Sequence, residues 1–188
     1  MSKFKEISSH DDALSIYLDD MLYESSADIP KKPSISVEES VIENWKASPF
    51  QALLFDVNGL QLALHCQDAK AILPWPEAEL AQRNEAQKLD EAVLGIYQQA
   101  PYQTTIIDAP YIFLPAELRH NADNASFIII IGDGQWALSC HKINAIITLS
   151  PEDIKWRKNA GTRPWLSGTS VEKGCSIVNI DELVKLLI

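Results

Sequence analysis

The sequence lacks the features by which several large classes of protein are recognised. Its three cysteines are an odd number and no export signal precedes them, so reduced, buried thiols are expected instead of a disulfide framework. Only 16 Lys and Arg stand against 26 Asp and Glu, for a formal net charge of −10 over 188 residues. Because lysine and arginine supply most of the binding energy toward phosphate backbones, nucleic acid is not expected as a partner.

Long apolar runs are absent as well. The longest near the centre, Phe127–Ile131, is far shorter than the roughly 20 residues that a membrane-spanning helix needs, so no direct membrane insertion is expected. The fractions of hydrophobic residues (46%) and charged residues (22%) are ordinary for a folded domain. We therefore expect a cytoplasmic globular protein.

The motifs of common catalytic sites are also missing: there is no glycine-rich phosphate loop, GxSxG elbow or HExxH motif. One constellation could carry chemistry, because His65-Cys66 and Cys140-His141 contain the ligand types that zinc prefers. Adjacent residues on a strand point to opposite faces, so neither pair can readily chelate one ion. We expect no catalytic residue, metal or cofactor, and a thiol or metal protein is the least favoured alternative. The candidate acid–base carboxylates are Asp56, Asp108, Asp133 and Asp181, for which a structural role is favoured. Turn and cap roles explain Asp108 and Asp181, which fall at matching places just past strands.

What the sequence does contain is an internal repeat. Gln61–Pro74 matches Gln135–Thr148 at six of fourteen positions, with position 61 aligned on position 135, an offset of 74. About one match is expected for unrelated segments at average residue usage. At an offset of 73 the further matches are Gly95 with Gly168, and Ile107-Asp108 with Ile180-Asp181. The repeat predicts a duplicated small barrel or sandwich.

Each copy opens with the pattern of a β-hairpin. Phe50–Val57 and Leu60–His65 are apolar runs joined by Asn58-Gly59, which supplies both positive-φ positions of a type I′ turn. The second copy repeats this pattern as Phe127–Ile131 and Gln135–Cys140. The predicted fold is therefore mainly β, with barrel copies at about 50–115 and 126–182.

Helices and a linker are predicted outside the strands. His10–Tyr23 has apolar residues at helical spacing and predicts an amphipathic helix within residues 1–24. Residues 25–48 begin rich in Ser, Pro and Lys and form a linker, in which Val37–Trp45 is predicted as a further short helix. Ile180–Ile188 is predicted as an amphipathic helix that Asp181 can cap.

Two stretches are the most characteristic: FIIIIGDGQWALSCHKINAII at 127–147 and RPWLSGTSVEKGCSIVNIDELVKLL at 163–187. They resemble the CheW domain, the coupling module of bacterial chemotaxis, in its strand–turn–strand and in its final glycine, turn, strand and helix. The resemblance covers about residues 49–188 and consists mostly of apolar patterns. It implies two SH3-like five-stranded barrels around a shared core, with a closing helix at 181–188 and a tethered helix at the N-terminus.

The resemblance also implies a non-enzymatic scaffold that acts through protein–protein contacts. In the CheW family one barrel pairs with the similar regulatory domain of the histidine kinase CheA, and the groove between the barrels takes the cytoplasmic tip of a chemoreceptor. The chain departs from the family where glycine, two apolar residues and Asn-Leu-Arg-Gly are usual, since residues 95–100 read GIYQQA. The expected partner-binding residues are Ile96, Tyr97, Gln98 and Gln99 in this loop, and Trp165.

The N-terminal helix, its proline-containing linker and the WLSG stretch look more like accessory members of the family, such as ParP. These members help to place chemotaxis arrays at the cell pole together with a ParA-like ATPase, ParC. This resemblance implies that the N-terminal segment contacts such an ATPase while the barrels contact kinase and receptor.

A small-molecule-binding protein is the alternative from a different class of function. In that case Trp75 or Trp136 would line a cleft between the two barrels. A deep apolar cavity with converging polar groups would favour this alternative, and a filled interior would count against it.

Overall fold

The computed structural model describes residues 44–76, 80–81, 91–119, 125–159 and 161–188, which form a mainly β structure. The predictions for the N-terminal helix and for most of the linker lie outside the described residues. The strands are β1 (Phe50–Val57), β2 (Leu60–His65), β3 (Ala69–Pro74), β4 (Leu80–Ala81), β5 (Val93–Gln99), β6 (Tyr102–Ile107), β7 (Phe127–Ile131), β8 (Trp136–Cys140), β9 (Lys142–Leu149), β10 (Lys155–Trp156), β11 (Leu166–Ser170) and β12 (Cys175–Val178). The α-helices are α1 (Ala109–Phe113) and α2 (Ile180–Leu187).

These strands form two six-stranded sheets. Sheet A has the order β10-β11-β12-β2-β1-β9, and sheet B has the order β3-β7-β8-β6-β5-β4. The hairpin β1–β2 therefore completes a sheet whose other strands all come from the second half of the chain, and β7–β8 does the reverse. Because the halves exchange their first hairpins, neither sheet is confined to 50–115 or to 126–182.

The strand order follows the internal repeat. Counterpart strands are six apart in chain order, so that β1 corresponds to β7 and β4 corresponds to β10. Replacing each strand of sheet A by its counterpart gives the order of sheet B, read from its opposite end. Gly95 and Gly168 are equivalent, because each follows a bulge and pairs with an isoleucine of the next strand. After these glycines the offset between the two copies changes. Ten residues lie between Gly95 and its partner Ile106, but only eight lie between Gly168 and its partner Ile177. The predicted match of Ile107 with Ile180 is therefore wrong, and Val178 is the structural counterpart of Ile107.

The turn of the first hairpin has the predicted geometry. Asn58 has a φ of 53° and Gly59 a φ of 91°, as both central residues of a type I′ turn require. The Asp56 carboxylate accepts a hydrogen bond from the Gly59 backbone N–H at 2.9 Å. The turn sets Val57 opposite Leu60 and so fixes the register of the hairpin.

Within the described part of the chain, apolar side chains gather in three clusters. A central core lies between the sheets and combines residues of both, such as Phe55 and Ile129, with residues of α1 and α2. Each sheet also encloses a smaller cluster, around Phe50 and Ile177 in sheet A and around Ile128, Ile130 and Ala137 in sheet B. A cluster supplied by one sheet requires that sheet to curve round on itself, and the fold is the predicted pair of barrels packed around a shared core.

The exchanged strands are buried on both of their faces. Along β1, Leu53 and Phe55 belong to the central core, whereas Ala52 and Leu54 belong to the cluster inside sheet A. This two-sided burial is why these strands read as nearly continuous apolar runs instead of alternating with polar residues.

Several local details differ from the predictions. Each sheet has six strands instead of five, because Leu80–Ala81 and Lys155–Trp156 add strands of two residues, too short for any periodicity. The sequence also does not predict α1, which has only five residues. The cap of α2 is Asn179 and not Asp181, since the Asn179 side chain accepts a hydrogen bond from the Glu182 backbone N–H at 3.1 Å. None of the helices in the described part of the chain combines the length and the apolar character that crossing a bilayer takes.

Trp165 lies in the central core instead of on a partner-binding surface. Its side chain is 3% exposed, and its ring meets that of Phe113 edge to face with 4.8 Å between the ring centroids. The backbone carbonyl of Trp165 also accepts a hydrogen bond from the Asn179 N–H just before α2. This tryptophan therefore joins both helices to the core.

Replacing Trp165 with alanine should lower the free energy of unfolding by about 3–5 kcal/mol, because it removes a large buried ring and leaves a cavity. Val171→Ala is the matched control, since Val171 is 59% exposed; it should change stability by no more than about 0.5 kcal/mol. Chemical denaturation measures both variants. Wild-type stability in Trp165→Ala would show that the ring does not support the core.

Candidate partner-binding surface

Both histidines of the Cys-His pairs accept hydrogen bonds from backbone N–H groups. The Nδ1 atom of His65 accepts a hydrogen bond from the Gln67 N–H at 3.2 Å, and its ring stacks on Phe50. The Nδ1 atom of His141 accepts from the Asn58 N–H at 3.0 Å, which ties β8 to the turn of the first hairpin. Each histidine thus acts as a hydrogen-bond acceptor for a turn.

The cysteines are separated and kept as thiols. Cys140 lies in the central core, whereas Cys175 lies in the cluster inside sheet A. Burial raises the pKa of the Cys140 thiol to about 12, with a smaller contribution from Asp56, and burial raises that of Cys175 to about 11. The half-buried Cys66 also has its pKa raised by burial. Because the thiolate is the reactive form and the metal ligand, these environments suppress both uses.

Carboxylates take turn and helix-end positions. Besides Asp56, Asp133 accepts a hydrogen bond from the Gln135 N–H at 3.0 Å in the turn between β7 and β8. Asp108 precedes α1 at the N-cap position, and Asp181 lies in the first turn of α2. Across the residues that the structure describes, no three His, Cys, Asp or Glu side chains gather where they could hold a metal ion.

The tryptophans considered for a cleft pack on different clusters. Trp75 packs against the cluster inside sheet B, whereas Trp136 packs against the central core. The space between the sheets is occupied by large buried side chains, among them Phe55, Phe113 and Ile131. The two tryptophans therefore do not line one shared cleft.

Titration of the native protein with a thiol reagent at mildly alkaline pH should modify Cys66 first and leave Cys140 and Cys175 protected. The reason is that a raised thiol pKa lowers the thiolate fraction, and the core also shields both buried sulfurs. In denaturant all three should react quickly. A Cys66→Ser variant should abolish the early phase; fast native modification of either buried cysteine would contradict this account.

The four predicted residues after Gly95 lie on strand β5 and not in a loop. Tyr97 is 4% exposed and points into the cluster inside sheet B, while its hydroxyl donates to the Gln99 side chain. Ile96 is half-buried, and Gln98 and Gln99 are exposed. Tyr97 is thus a core residue, as Trp165 is, and the other three remain available for a surface role.

The outer face of β5 is the candidate partner-binding surface. Inward residues alternate with Leu94, Ile96 and Gln98, and Leu94 is 42% exposed. On β6, Gln103 pairs with Gln98 and Thr105 pairs with Ile96, which extends the surface across two strands. We define the β5–β6 face as these five residues. No charged residue occurs from 93 to 107, although the chain as a whole carries a net charge of −10.

The equivalent surface of the second copy is covered. Ser167 and Thr169 occupy the positions on β11 that match Leu94 and Ile96, and they are 6% and 5% exposed. The neighbouring strand does not account for this difference, because β10 pairs with β11 as β4 pairs with β5. The two copies therefore differ at this surface.

The sequence-based prediction misses three residues of this face, namely Leu94, Gln103 and Thr105. When the segment from Gly95 is interpreted as a loop, only residues after this glycine are predicted to bind a partner. Apolar residues at both 94 and 96 with Gln98 beyond them fit one face of a strand, and that alternation is the available signal.

Comparison with known proteins identifies the fold. No family model matches the sequence, and no curated protein matches it either. Among solved structures, the chain is similar to the scaffolding protein TtCheW from Thermoanaerobacter tengcongensis, with a TM-score of 0.56 and 16% sequence identity. The match covers 70% of this chain and 89% of that one. The fold is the CheW-type double barrel.

Proposed function

We propose that this protein is a non-enzymatic scaffold or coupling protein of bacterial chemotaxis signalling, working in the cytoplasm through protein–protein contacts. The observation that carries the proposal is the exposed, uncharged β5–β6 face, whose counterpart in the second barrel is buried. An exposed patch that has neighbouring apolar side chains and no charge is a suitable place for proteins to meet. The likeness of the fold to a scaffolding protein and the sequence resemblance to the CheW family support the same function.

A CheA-type histidine kinase is the proposed partner for this face. The resemblance implies that the kinase has a regulatory domain similar to this chain, so the contact would join two related barrels. Leu94 and Ile96 supply apolar area, and the side-chain amides of Gln98 and Gln103 can donate and accept hydrogen bonds. The absence of charge suits the core of an interface, where charged residues are depleted.

The cytoplasmic tip of a chemoreceptor is the second proposed partner, at the groove between the barrels. The family's Asn-Leu-Arg-Gly would fall on Gln98, Gln99, Ala100 and Pro101, so alanine stands where the arginine is usual. The proposed receptor coupling therefore uses groups other than that arginine. No finding supports a ParA-like ATPase as a partner, and the N-terminal segment that would bind it lies outside the described residues. Polar localisation through ParC accordingly stays a prediction.

Leu94→Lys and Ile96→Lys should each weaken binding to the kinase regulatory domain by about tenfold or more, because each places an unpaired charge within an apolar contact. Val171→Lys is the matched control: Val171 is 59% exposed but follows β11 in the second barrel. It should bind as the wild type does. Isothermal titration calorimetry with purified domains measures all three.

Thermal unfolding of each variant shows whether the barrel is intact. All three variants should stay folded, because each substituted side chain is at least partly exposed to solvent. Wild-type affinity in both folded β5 variants would remove the β5–β6 face from the kinase site. Equal weakening in Val171→Lys would show a general effect of added charge instead of a defined surface.

A further inference from the structure

The two sheets end in equivalent edge strands that differ in how well they are protected. Strand β9 ends sheet A beside β1, and its counterpart β3 ends sheet B beside β7. An edge strand offers unpaired backbone N–H and C=O groups to any other strand, so natural proteins usually blunt such edges with charge, proline or short length.

Strand β3 carries these protections and β9 largely lacks them. β3 has six residues and includes Lys70 and Pro74. β9 has eight residues, of which the seven from 143 to 149 contain no charge and no proline. Its Ile146 is 62% exposed, whereas the equivalent Ile72 of β3 is 41% exposed.

A bulge near the start of β9 leaves its remainder regular. The pairing with β1 shifts between Leu54 and Phe55, so that Asn144 is skipped, and Ala145–Leu149 then pair residue for residue with β1. Four residues of this strand beyond Lys142 are exposed: Asn144, Ala145, Ile146 and Thr148. A regular run of five residues spans about 17 Å at the usual rise per residue, which is enough for a second strand to pair along it.

We propose that β9 pairs antiparallel with β9 of a second copy of this chain, forming a two-fold dimer through sheet A. The charges at the ends of the strand favour this occupant. Lys142 begins the strand, and the exposed Glu152 and Asp153 follow its far end. Antiparallel pairing centred on Ala145 and Ile146 sets Lys142 of one copy opposite Leu149 of the other, next to the turn that carries those carboxylates.

Parallel pairing would instead place Lys142 beside Lys142 and the two acidic turns together. The overall charge of −10 makes two copies repel over most of their surface, so an uncharged strip with opposite charges at its ends is a favourable place for them to meet.

Because β9 belongs to sheet A and β5 to sheet B, the dimer needs no residue of the β5–β6 face. Such a dimer would present two copies of that face, and it does not depend on the identity of the partner.

Sedimentation velocity of the full chain over a wide concentration range tests the proposal. The wild type should associate to a dimer, and Ile146→Lys and Thr148→Lys should each weaken the dimer by about tenfold or more. The two-fold brings the two lysines of Ile146→Lys close to each other, whereas the lysine of Thr148→Lys lies beside Lys142 of the other copy. Ile72→Lys, at the equivalent position of β3, is the matched control and should dimerise as the wild type does. A wild type that stays monomeric throughout, or β9 variants that dimerise like Ile72→Lys, would overturn the proposal.

A charge reversal provides a test that does not depend on Ile146. Lys142→Glu should weaken the dimer, and adding Glu152→Lys to it should restore part of the lost affinity. Amide hydrogen exchange in 145–149 should slow as protein concentration rises. Protection that is independent of concentration and disappears when residues 1–43 are removed would assign this edge to the N-terminal segment and overturn the dimer.

Discussion

The exchange of hairpins between the two halves is the constraint on which the rest of this structure depends. Strands β1 and β2 are interior strands of a sheet otherwise built by the second half, and β7 and β8 are interior strands of the other. Each exchanged strand packs one face into a barrel and the other into the central core. Loss of either hairpin would therefore open a barrel and the shared core together, which couples the two barrels more tightly than a linker could.

The internal symmetry also separates what the fold requires from what function can change. Equivalent positions with equivalent burial, such as Gly95 and Gly168 after their bulges, belong to the fold. Positions at which the copies differ are free of that requirement. A clear difference of this kind lies between β5, where Leu94 is 42% exposed, and β11, where the matching Ser167 is 6% exposed. This asymmetry is the physical basis for placing a partner there.

Much of the fold follows from local sequence signals. The Asn58-Gly59 turn and the repeated apolar runs predict the hairpins, because positive φ and burial are strong local constraints. The exchange itself could not be predicted, since periodicity reports that a strand is buried on both faces without saying which strands lie beside it. The sequence predicts Asp181 as the cap of α2 because acidic residues suit any early helical position, whereas one hydrogen bond from the Glu182 backbone N–H selects Asn179.

Prediction of the candidate site was less complete for a similar reason. The resemblance to the CheW family directs attention to the segment after Gly95, and Ile96, Gln98 and Gln99 do lie at the surface. Tyr97 and Trp165 are large aromatic residues that suit an interface or a core equally well, and their burial decides for the core. Burial depends on the neighbouring strands, which only the three-dimensional arrangement supplies.

Amide hydrogen exchange of the full chain, alone and bound to a CheA-type kinase regulatory domain, tests the central claim most directly. The account predicts slower exchange within residues 93–107 on binding, with no change within residues 166–178 of the equivalent hairpin. Slowing at the second hairpin without slowing at the first, or no change at either one in a stable complex, would contradict it.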